Sequence, residues 1–236
     1  MILQDLSSPL LSLDGCKSLC GAAGGLWPKP EHAKLGRDVA PITIETTSSF
    51  HVQELPKSEH EAKLRSLLDG AFAIFMENVD ALKENDTSAA DTKTNLLKVS
   101  VTLKQDDVNL DLQTPEDYHL EVSTGQGEVK AKVVASTFFG ARHALETLSQ
   151  LISFDSGVLS VVSSASIMDR PKYPYRGLLL DTGRNYFSLA AVKRVIRGMS
   201  YDKLNVLHWH MNEQQSFPFV SESVPELTQY GAYSAS

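Results

Sequence analysis

The stretch GLLLDTGRNYFSLAAVKRVIRGMSYDKLNVLHWHM, residues 177–211, holds two apolar runs on either side of a segment with helical spacing. The first run, GLLLDT (177–182), is typical of a strand buried on both faces. The second run, NVLHWHM (205–211), also predicts a strand. Between them, SLAAVKRVIRGMSYDK (188–203) predicts an amphipathic helix. The whole stretch therefore predicts a βαβ unit with two parallel strands.

The predicted helix has a capping residue and an apolar stripe. Ser188 stands before the first helical residue, where a side-chain oxygen accepts a backbone N–H. The residues expected to face inward are Leu189, Val192, Ile196 and Met199.

Both predicted strands end in polar residues. Asp181 and Arg184 follow the first strand, and Glu213 follows the second. Ligands of parallel-sheet folds bind beyond the carboxyl ends of the strands, so these residues predict a polar site at one rim. Arg184 and Glu213 are expected on adjacent strand ends, where they pair with each other or with a hydroxyl-rich ligand. The alternative is a structural salt bridge that closes the loops.

The second strand carries His208 and His210, two residues apart and therefore on one face of the strand. Such a pair can begin a zinc site, which makes a zinc-dependent barrel hydrolase an alternative interpretation. The favoured interpretation is that the imidazoles form hydrogen bonds inside the fold and fix neighbouring loops, with no metal.

The chain before this unit has a different pattern. Short alternating segments predict strands with one solvated face, and two longer segments with helical spacing predict helices. The predicted strands are 39–46, 96–103, 118–124, 128–136 and 158–167, and the predicted helices are 59–84 and 137–154. Ser58 and Glu61 form a capping box before the first helix. This order predicts an α+β domain in which two helices cover an antiparallel sheet.

Proline residues between 169 and 174 mark a domain boundary. We predict an irregular segment at 1–23, an α+β domain at 24–170 and the βαβ unit at 171–236.

Composition excludes several classes of protein. The 236 residues carry a net charge of −7, and the lysines and arginines are scattered, so no nucleic-acid partner is expected. No apolar segment approaches the roughly 20 residues of a membrane helix. Cys16 and Cys20 form either a small disulfide loop or two free thiols, and Asn85 lies in a glycosylation sequon. The N-terminus does not have the pattern of a signal peptide.

Several longer motifs carry a resemblance to a known family. PYRGLLLDTGRNYFSL, YDKLNVLHWH and QSFPFVSESVPEL resemble the first barrel segments of the β-N-acetylhexosaminidases of glycoside hydrolase family 20. GGLWPKP (24–30) and FFGARHALETLSQLI (138–152) resemble the N-terminal, zincin-like domain of that family. CKSLC (16–20) resembles its insect, chitooligosaccharide-degrading branch.

The resemblance implies a fold and an activity. The βαβ unit would begin a TIM barrel, and the chain would be a secreted or lysosomal enzyme that removes terminal N-acetylglucosamine from chitooligosaccharides or N-glycans. The implied mechanism is retaining and substrate-assisted, with the 2-acetamido oxygen of the substrate as nucleophile. It requires no cofactor or metal. A carbohydrate substrate is the implied partner, and a homodimer is possible for the longer parent protein.

The resemblance also assigns site residues. Arg184 matches the arginine that binds sugar hydroxyls, and Glu213 stands where the family more often has Asp. Asp181, His208, Trp209 and His210 are expected to support this site. The Asp-Glu catalytic pair belongs to the fourth barrel strand, and this sequence ends after the second. The chain is therefore expected to be a truncated, inactive fragment, or alternatively a short product that binds a partner subunit or a glycan.

Overall fold

The computed structural model describes residues 25–83, 92–155 and 157–233. The chain divides into two compact units, and the division falls between Lys172 and Tyr173, inside the proline-punctuated segment of the sequence. Three sequence predictions lie outside the described residues: the irregular segment 1–23, the pair Cys16 and Cys20, and the sequon at Asn85.

The described residues of the first unit form two helices and a nine-stranded sheet. The strands are β1 (His32–Leu35), β2 (Val39–Thr43), β3 (Phe50–Glu54), β4 (Asn95–Leu103), β5 (Tyr118–Gly125), β6 (Glu128–Ala135), β7 (Ile152–Asp155), β8 (Val158–Val162) and β9 (Ser164–Asp169). The helices are α1 (Glu61–Ala81) and α2 (Phe138–Gln150). The main path of the sheet runs β1-β9-β5-β6-β4-β2-β8-β7, and β3 also pairs with β4.

The sheet is mixed, so the prediction of an antiparallel sheet is wrong. β5 and β6 form an antiparallel hairpin, but β4 pairs with β6 in parallel. β2 and β3 also pair with β4 in parallel. Successive side chains point to opposite faces of the sheet in parallel and antiparallel strands alike. The alternating pattern therefore carries no information about strand direction.

Alternation places one face of each central strand in the core. On β4 and β6 the buried side chains are Leu97, Val99, Val101, Leu103, Val129, Ala131, Val133 and Ala135. From α1, the buried residues Leu64, Leu68, Phe72, Phe75 and Val79 join them, at the three- and four-residue spacing of an amphipathic helix. Burial of so many aliphatic side chains is the main source of stability for this unit.

The prediction of a capping box at Ser58 and Glu61 is wrong. The N-cap is His60, and the Ser58 hydroxyl accepts a hydrogen bond from the His60 N–H at 3.2 Å. Because the helix begins at Glu61, that carboxylate lies in the first turn and not three residues beyond the cap.

The predicted strand 158–167 is two strands. β8 pairs with β2 and β7, whereas β9 pairs with β1 and β5. At the break, the Ser163 N–H donates to the Asp38 carbonyl at 2.9 Å. The alternating pattern continues across this change of partners, which explains the error.

Helix α2 is anchored to the loop before β5 by close packing and by buried polar contacts. The Thr137 hydroxyl donates to the Pro115 carbonyl at 2.6 Å. A Cβ on Gly140 would lie 2.3 Å from the Asp117 carbonyl oxygen, so only glycine allows this approach. His143 and Glu116 are both buried, and their Nε2 and Oε2 atoms are 2.8 Å apart.

The second unit has the predicted order of strand, helix and strand. Its elements are β10 (Gly177–Asp181), α3 (Leu189–Tyr201), β11 (Val206–His210) and the short α4 (Glu226–Gly231). β10 and β11 are parallel, with Gly177 opposite Val206 and Asp181 opposite His210. Ser188 caps α3 by accepting the Ala191 N–H at 3.2 Å, which confirms the cap prediction.

Burial in this unit is lower than the sequence predicts. Leu180 is buried, but Leu178 and Leu179 are exposed, so β10 is not buried on both faces. On α3, Val192 and Met199 are buried, whereas Leu189 and Ile196 are exposed, against the prediction. Full burial of a parallel strand requires packed layers on both sides, and the described residues of this unit do not supply both.

Candidate functional site

The carboxyl ends of β10 and β11 lie side by side. The parallel register continues one residue beyond β10, where the Thr182 N–H donates to the His210 carbonyl at 2.9 Å. Two polar segments therefore leave the sheet side by side at the carboxyl ends of the strands, one beginning at Asp181 and the other at Met211. This is the edge at which parallel-sheet folds place their ligands.

Asp181 organises the first segment. Its Oδ1 atom accepts the backbone N–H groups of Gly183 and Arg184 at 3.0 and 3.1 Å, which turns the chain sharply. Its Oδ2 atom accepts a hydrogen bond from Arg184 Nη1 at 2.5 Å. One carboxylate thus fixes both the backbone and the side chain of Arg184.

Glu213 holds the same guanidinium from the neighbouring strand. Arg184 Nη2 donates to Glu213 Oε2, so the arginine lies between two carboxylates. His210 Nε2 lies 3.2 Å from the same oxygen, and the Gln214 N–H donates to Glu213 Oε1 at 2.9 Å. A tight turn follows, in which Glu213 and Ser216 exchange backbone hydrogen bonds at 2.8 and 3.2 Å.

These contacts shift pKa values in the direction expected of ion pairs. Burial acts to raise the pKa of Asp181, but hydrogen bonds from Arg184 and Gly183 outweigh it, and the pKa is lowered. The pKa of Glu213 is lowered by the Gln214 N–H and further by His210 and Arg184. The hydrogen bond to Asp181 and the charge of Glu213 raise the pKa of Arg184. Both carboxylates are therefore ionised at neutral pH.

A second set of contacts ties the two segments together. Trp209 Nε1 donates to the Thr182 hydroxyl at 2.9 Å. A Cβ on Gly183 would lie 3.1 Å from the backbone carbon of Asn212, so the two segments approach closely there. The Asn212 Oδ1 atom is buried and accepts no hydrogen bond from the described residues.

The structure brings together four of the residues selected from the sequence: Asp181, Arg184, His210 and Glu213. Trp209 reaches the same rim through Thr182. His208 is exposed, so the expectation of a hydrogen bond inside the fold is wrong for this histidine. Whether these residues bind sugar remains a prediction.

Thr182, Gly183 and Asn212 lie in the polar segments that follow the two predicted strands, but the sequence assigns them no role in the site. Thr182 and Gly183 could have been found from the strand register, because the two residues after Asp181 must face the chain that follows His210. The burial of Asn212 Oδ1 could not be predicted, since it depends on the turn formed by Glu213 and Ser216.

The described residues lack both a metal-binding cluster and a membrane-spanning helix. They contain no group of three or more His, Cys, Asp and Glu side chains placed to hold a metal ion. Their helices include none that combines the length and the apolar character needed to cross a bilayer.

The family comparison divides the chain much as the structure does. Residues 26–151 match a family model described as "beta-acetyl hexosaminidase like", which covers more than half of the chain. Residues 173–236 match the catalytic domain of glycosyl hydrolase family 20. The chain belongs to the family 20 hexosaminidases.

Among the curated relatives of this family 20 chain are two insect enzymes. It is 41% identical over 236 residues to the chitooligosaccharidolytic β-N-acetylglucosaminidase of Ostrinia furnacalis, with 97% of this chain and 38% of the relative covered. It is 37% identical over 230 residues to the protein of the same name from Bombyx mori, with 96% and 37% covered. The chain thus spans less than two fifths of the length of these relatives.

A solved structure supports the fold of the family 20 chain. The chitobiase of Flavobacterium johnsoniae matches 88% of this chain with a TM-score of 0.65 and 23% sequence identity, and 30% of the chitobiase is covered. At this identity the match supports the fold and not the activity.

Proposed function

We propose that the chain supplies part of the sugar-binding site of a β-N-acetylhexosaminidase that removes terminal N-acetylglucosamine from chitooligosaccharides or N-glycans. The observation that carries the proposal is the guanidinium of Arg184, held between Asp181 and Glu213 at the mouth of two parallel strands. The names of the Ostrinia and Bombyx relatives support the substrate class.

Arg184 is suited to bind a sugar. A guanidinium has five N–H donors in a planar fork, and Asp181 and Glu213 accept only part of them. The side chain is 59% exposed, so the remaining donors are open to a ligand. Because the two carboxylates already fix the plane of the fork, little rotamer entropy is lost when adjacent hydroxyl oxygens bind.

The proposed mechanism is retaining and substrate-assisted, and it needs a carboxylic acid that is protonated near the working pH. Neither carboxylate at this rim fits that role, because the pKa values of Asp181 and Glu213 are both lowered. We assign them to holding Arg184. We therefore propose that neither of them is the general acid, and that the 236-residue chain alone does not hydrolyse glycosides.

A chimaera tests the proposed function. Residues 173–236 replace the matching segment of the Ostrinia furnacalis relative, and turnover of an aryl N-acetylglucosaminide is measured. Retained turnover supports the proposal. A chimaera that unfolds cooperatively at the temperature of its parent, and yet does not turn over the substrate, contradicts it.

The isolated chain gives a second test. We expect no release of the aryl group above the rate of a heat-denatured sample. Turnover by the pure chain would show that a general acid exists among its own residues, and the proposal that the chain alone is inactive would be wrong.

A second candidate is a short product that binds a partner subunit or a glycan without catalysis. The exposed apolar side chains Leu178, Leu179 and Trp209 on the two-stranded sheet favour it, because such surfaces promote association. Sedimentation velocity of the chain mixed with a full-length relative is the test. A chain that sediments as an unchanged monomer excludes the candidate.

We also propose that the parent protein is extracellular or lysosomal, with a disulfide between Cys16 and Cys20, a glycan on Asn85, and a homodimeric state. The cysteine spacing, the sequon and the family membership support this. Mass spectrometry after expression in a eukaryotic secretory host checks the disulfide and the glycan. Free thiols together with an unmodified Asn85 would contradict the proposed location.

A further inference from the structure

The outer face of the sheet in the first unit contains a groove with a volume of about 600 Å³. Strands β3, β4, β5 and β6 form its floor, and the segment before β3 forms one wall. Its floor residues alternate with buried core residues, so they face away from the core: Lys98 precedes Val99 on β4, and Lys130 precedes Ala131 on β6. The groove lies within residues 26–151, outside the segment that matches the catalytic domain.

The floor consists of two cross-strand rows that combine lysines with serine hydroxyls, together with one histidine and one glutamate. The first row joins Lys98, Lys130 and Ser123, and the second joins His51, Ser100, Lys132 and Glu121. Each lysine of β6 therefore has a serine directly opposite on one neighbouring strand. This arrangement offers ammonium donors and hydroxyl groups to the same ligand.

The charges of the floor are only partly neutralised. Lys98 and Lys130 lie directly opposite each other, which is unfavourable for a sheet. Glu128 offsets this, because its carboxylate oxygens lie 2.5 Å from Lys98 Nζ and 3.8 Å from Lys130 Nζ. Lys132 forms no ion pair with the described residues, although Glu121 lies opposite it in the register. In a chain with a net charge of −7, the groove concentrates positive charge.

We infer that this groove binds an anionic carbohydrate, with the lysines on a sulfate or phosphate ester and the serine hydroxyls on the sugar. Lys130 and Lys132 lie two residues apart on the same face of β6, so both ammonium groups would be available to one tetrahedral anion, and Ser123 and Ser100 lie opposite them on the neighbouring strands. This inference does not depend on the proposed function of Arg184.

The test is an NMR titration of the 236-residue chain with glucose 6-sulfate, glucose 6-phosphate, glucose and inorganic sulfate. We expect the two charged sugars to shift amide signals of β4 and β6, with the preferred ester identified by its lower Kd. Binding weakens as salt is added, because exposed charges are screened over a Debye length of about 8 Å at physiological ionic strength.

The double variant Lys130→Gln and Lys132→Gln is expected to weaken binding roughly 5- to 25-fold, since it removes two exposed ion pairs that each contribute a factor of up to about five. The control is Lys104→Gln, just beyond the end of β4 and outside the groove lining, which leaves the Kd unchanged within about twofold. All three lysines are exposed, so neither variant disturbs the core.

Several outcomes would overturn the inference. The first is the absence of shifts on β4 and β6 at millimolar charged sugar. The second is equal weakening by Lys104→Gln. The third is binding of inorganic sulfate as tight as that of the charged sugars, since the groove would then recognise an anion and not a carbohydrate.

Discussion

The two units of the chain differ in how their side chains are used. In the first unit, α1, α2 and the central strands bury a continuous aliphatic core. In the second unit, the buried apolar side chains among the described residues are Leu180, Val192 and Met199. The contacts at its strand ends are hydrogen bonds and ion pairs, and they converge on Arg184. Burial of apolar side chains thus stabilises the first unit, whereas polar contacts between neighbouring strand ends form the candidate site of the second.

A matched pair of leucine substitutions should give the largest difference between the units. Leu120→Ala in the first unit removes a side chain that is 0% exposed, and we expect a loss of about 2–5 kcal/mol in the free energy of unfolding. Leu179→Ala in the second unit removes one that is 56% exposed, and we expect a change of at most about 0.5–1 kcal/mol. Urea unfolding measures both. Equal losses would contradict the comparison.

Gly140→Ala tests the close packing of the first unit. The new Cβ would lie 2.3 Å from the Asp117 carbonyl oxygen, so α2 or the loop must shift, at about 1–3 kcal/mol. Gly70→Ala is the control, because a Cβ there meets nothing within 4 Å and alanine favours the helix. Thermal unfolding that ranks Gly140→Ala as the more stable variant would refute the packing argument.

Ser188→Ala tests the local structure of the second unit. Loss of the hydrogen bond to the Ala191 N–H should cost about 1 kcal/mol of helix stability. Hydrogen exchange of the first turn of α3 measures the loss, and Ser188→Asp should restore protection because aspartate also caps helices. Unchanged exchange rates in the alanine variant would show that the cap does not contribute.

The dependence on pH should be a small effect confined to the second unit. Because the folded-state pKa values of Asp181 and Glu213 are lowered from 3.8 and 4.5, their contribution is present above those values and is lost as the pH falls through the folded-state values. Trp209 fluorescence in a Trp27→Phe background follows this transition. Asp181→Asn combined with Glu213→Gln should remove the fluorescence transition. A pH profile identical to that of the Trp27→Phe protein would show that these two carboxylates do not cause it.

Much of the fold could be predicted from periodicity. Helix α3 was expected at 188–203 and occurs at Leu189–Tyr201, because a capping serine and an apolar stripe mark it. The four-residue strand β1 could not be found, since HAKL is too short to show a period. The parallel pairing of β4 with β6 was also beyond prediction, because it depends on which strand neighbours β4 and not on the residues of either strand.

The candidate site could be predicted in part. Polar residues at the ends of two parallel strands indicated that Arg184 and Glu213 would lie together, as they do. The contact of His210 with Glu213 could not be predicted, because it requires the turn that brings Glu213 back to Ser216. The bond between Trp209 and Thr182 likewise depends on the exact register of β10 and β11.

The most direct test of the account is the kcat/KM of the chimaera after substitution of Arg184. Arg184→Ala should lower kcat/KM for the aryl N-acetylglucosaminide roughly 10- to 100-fold, since hydrogen bonds from a charged group to the sugar are lost. Arg194→Ala, an exposed arginine on α3, should leave it unchanged. Equal kcat/KM values for the two variants would show that Arg184 does not bind the substrate.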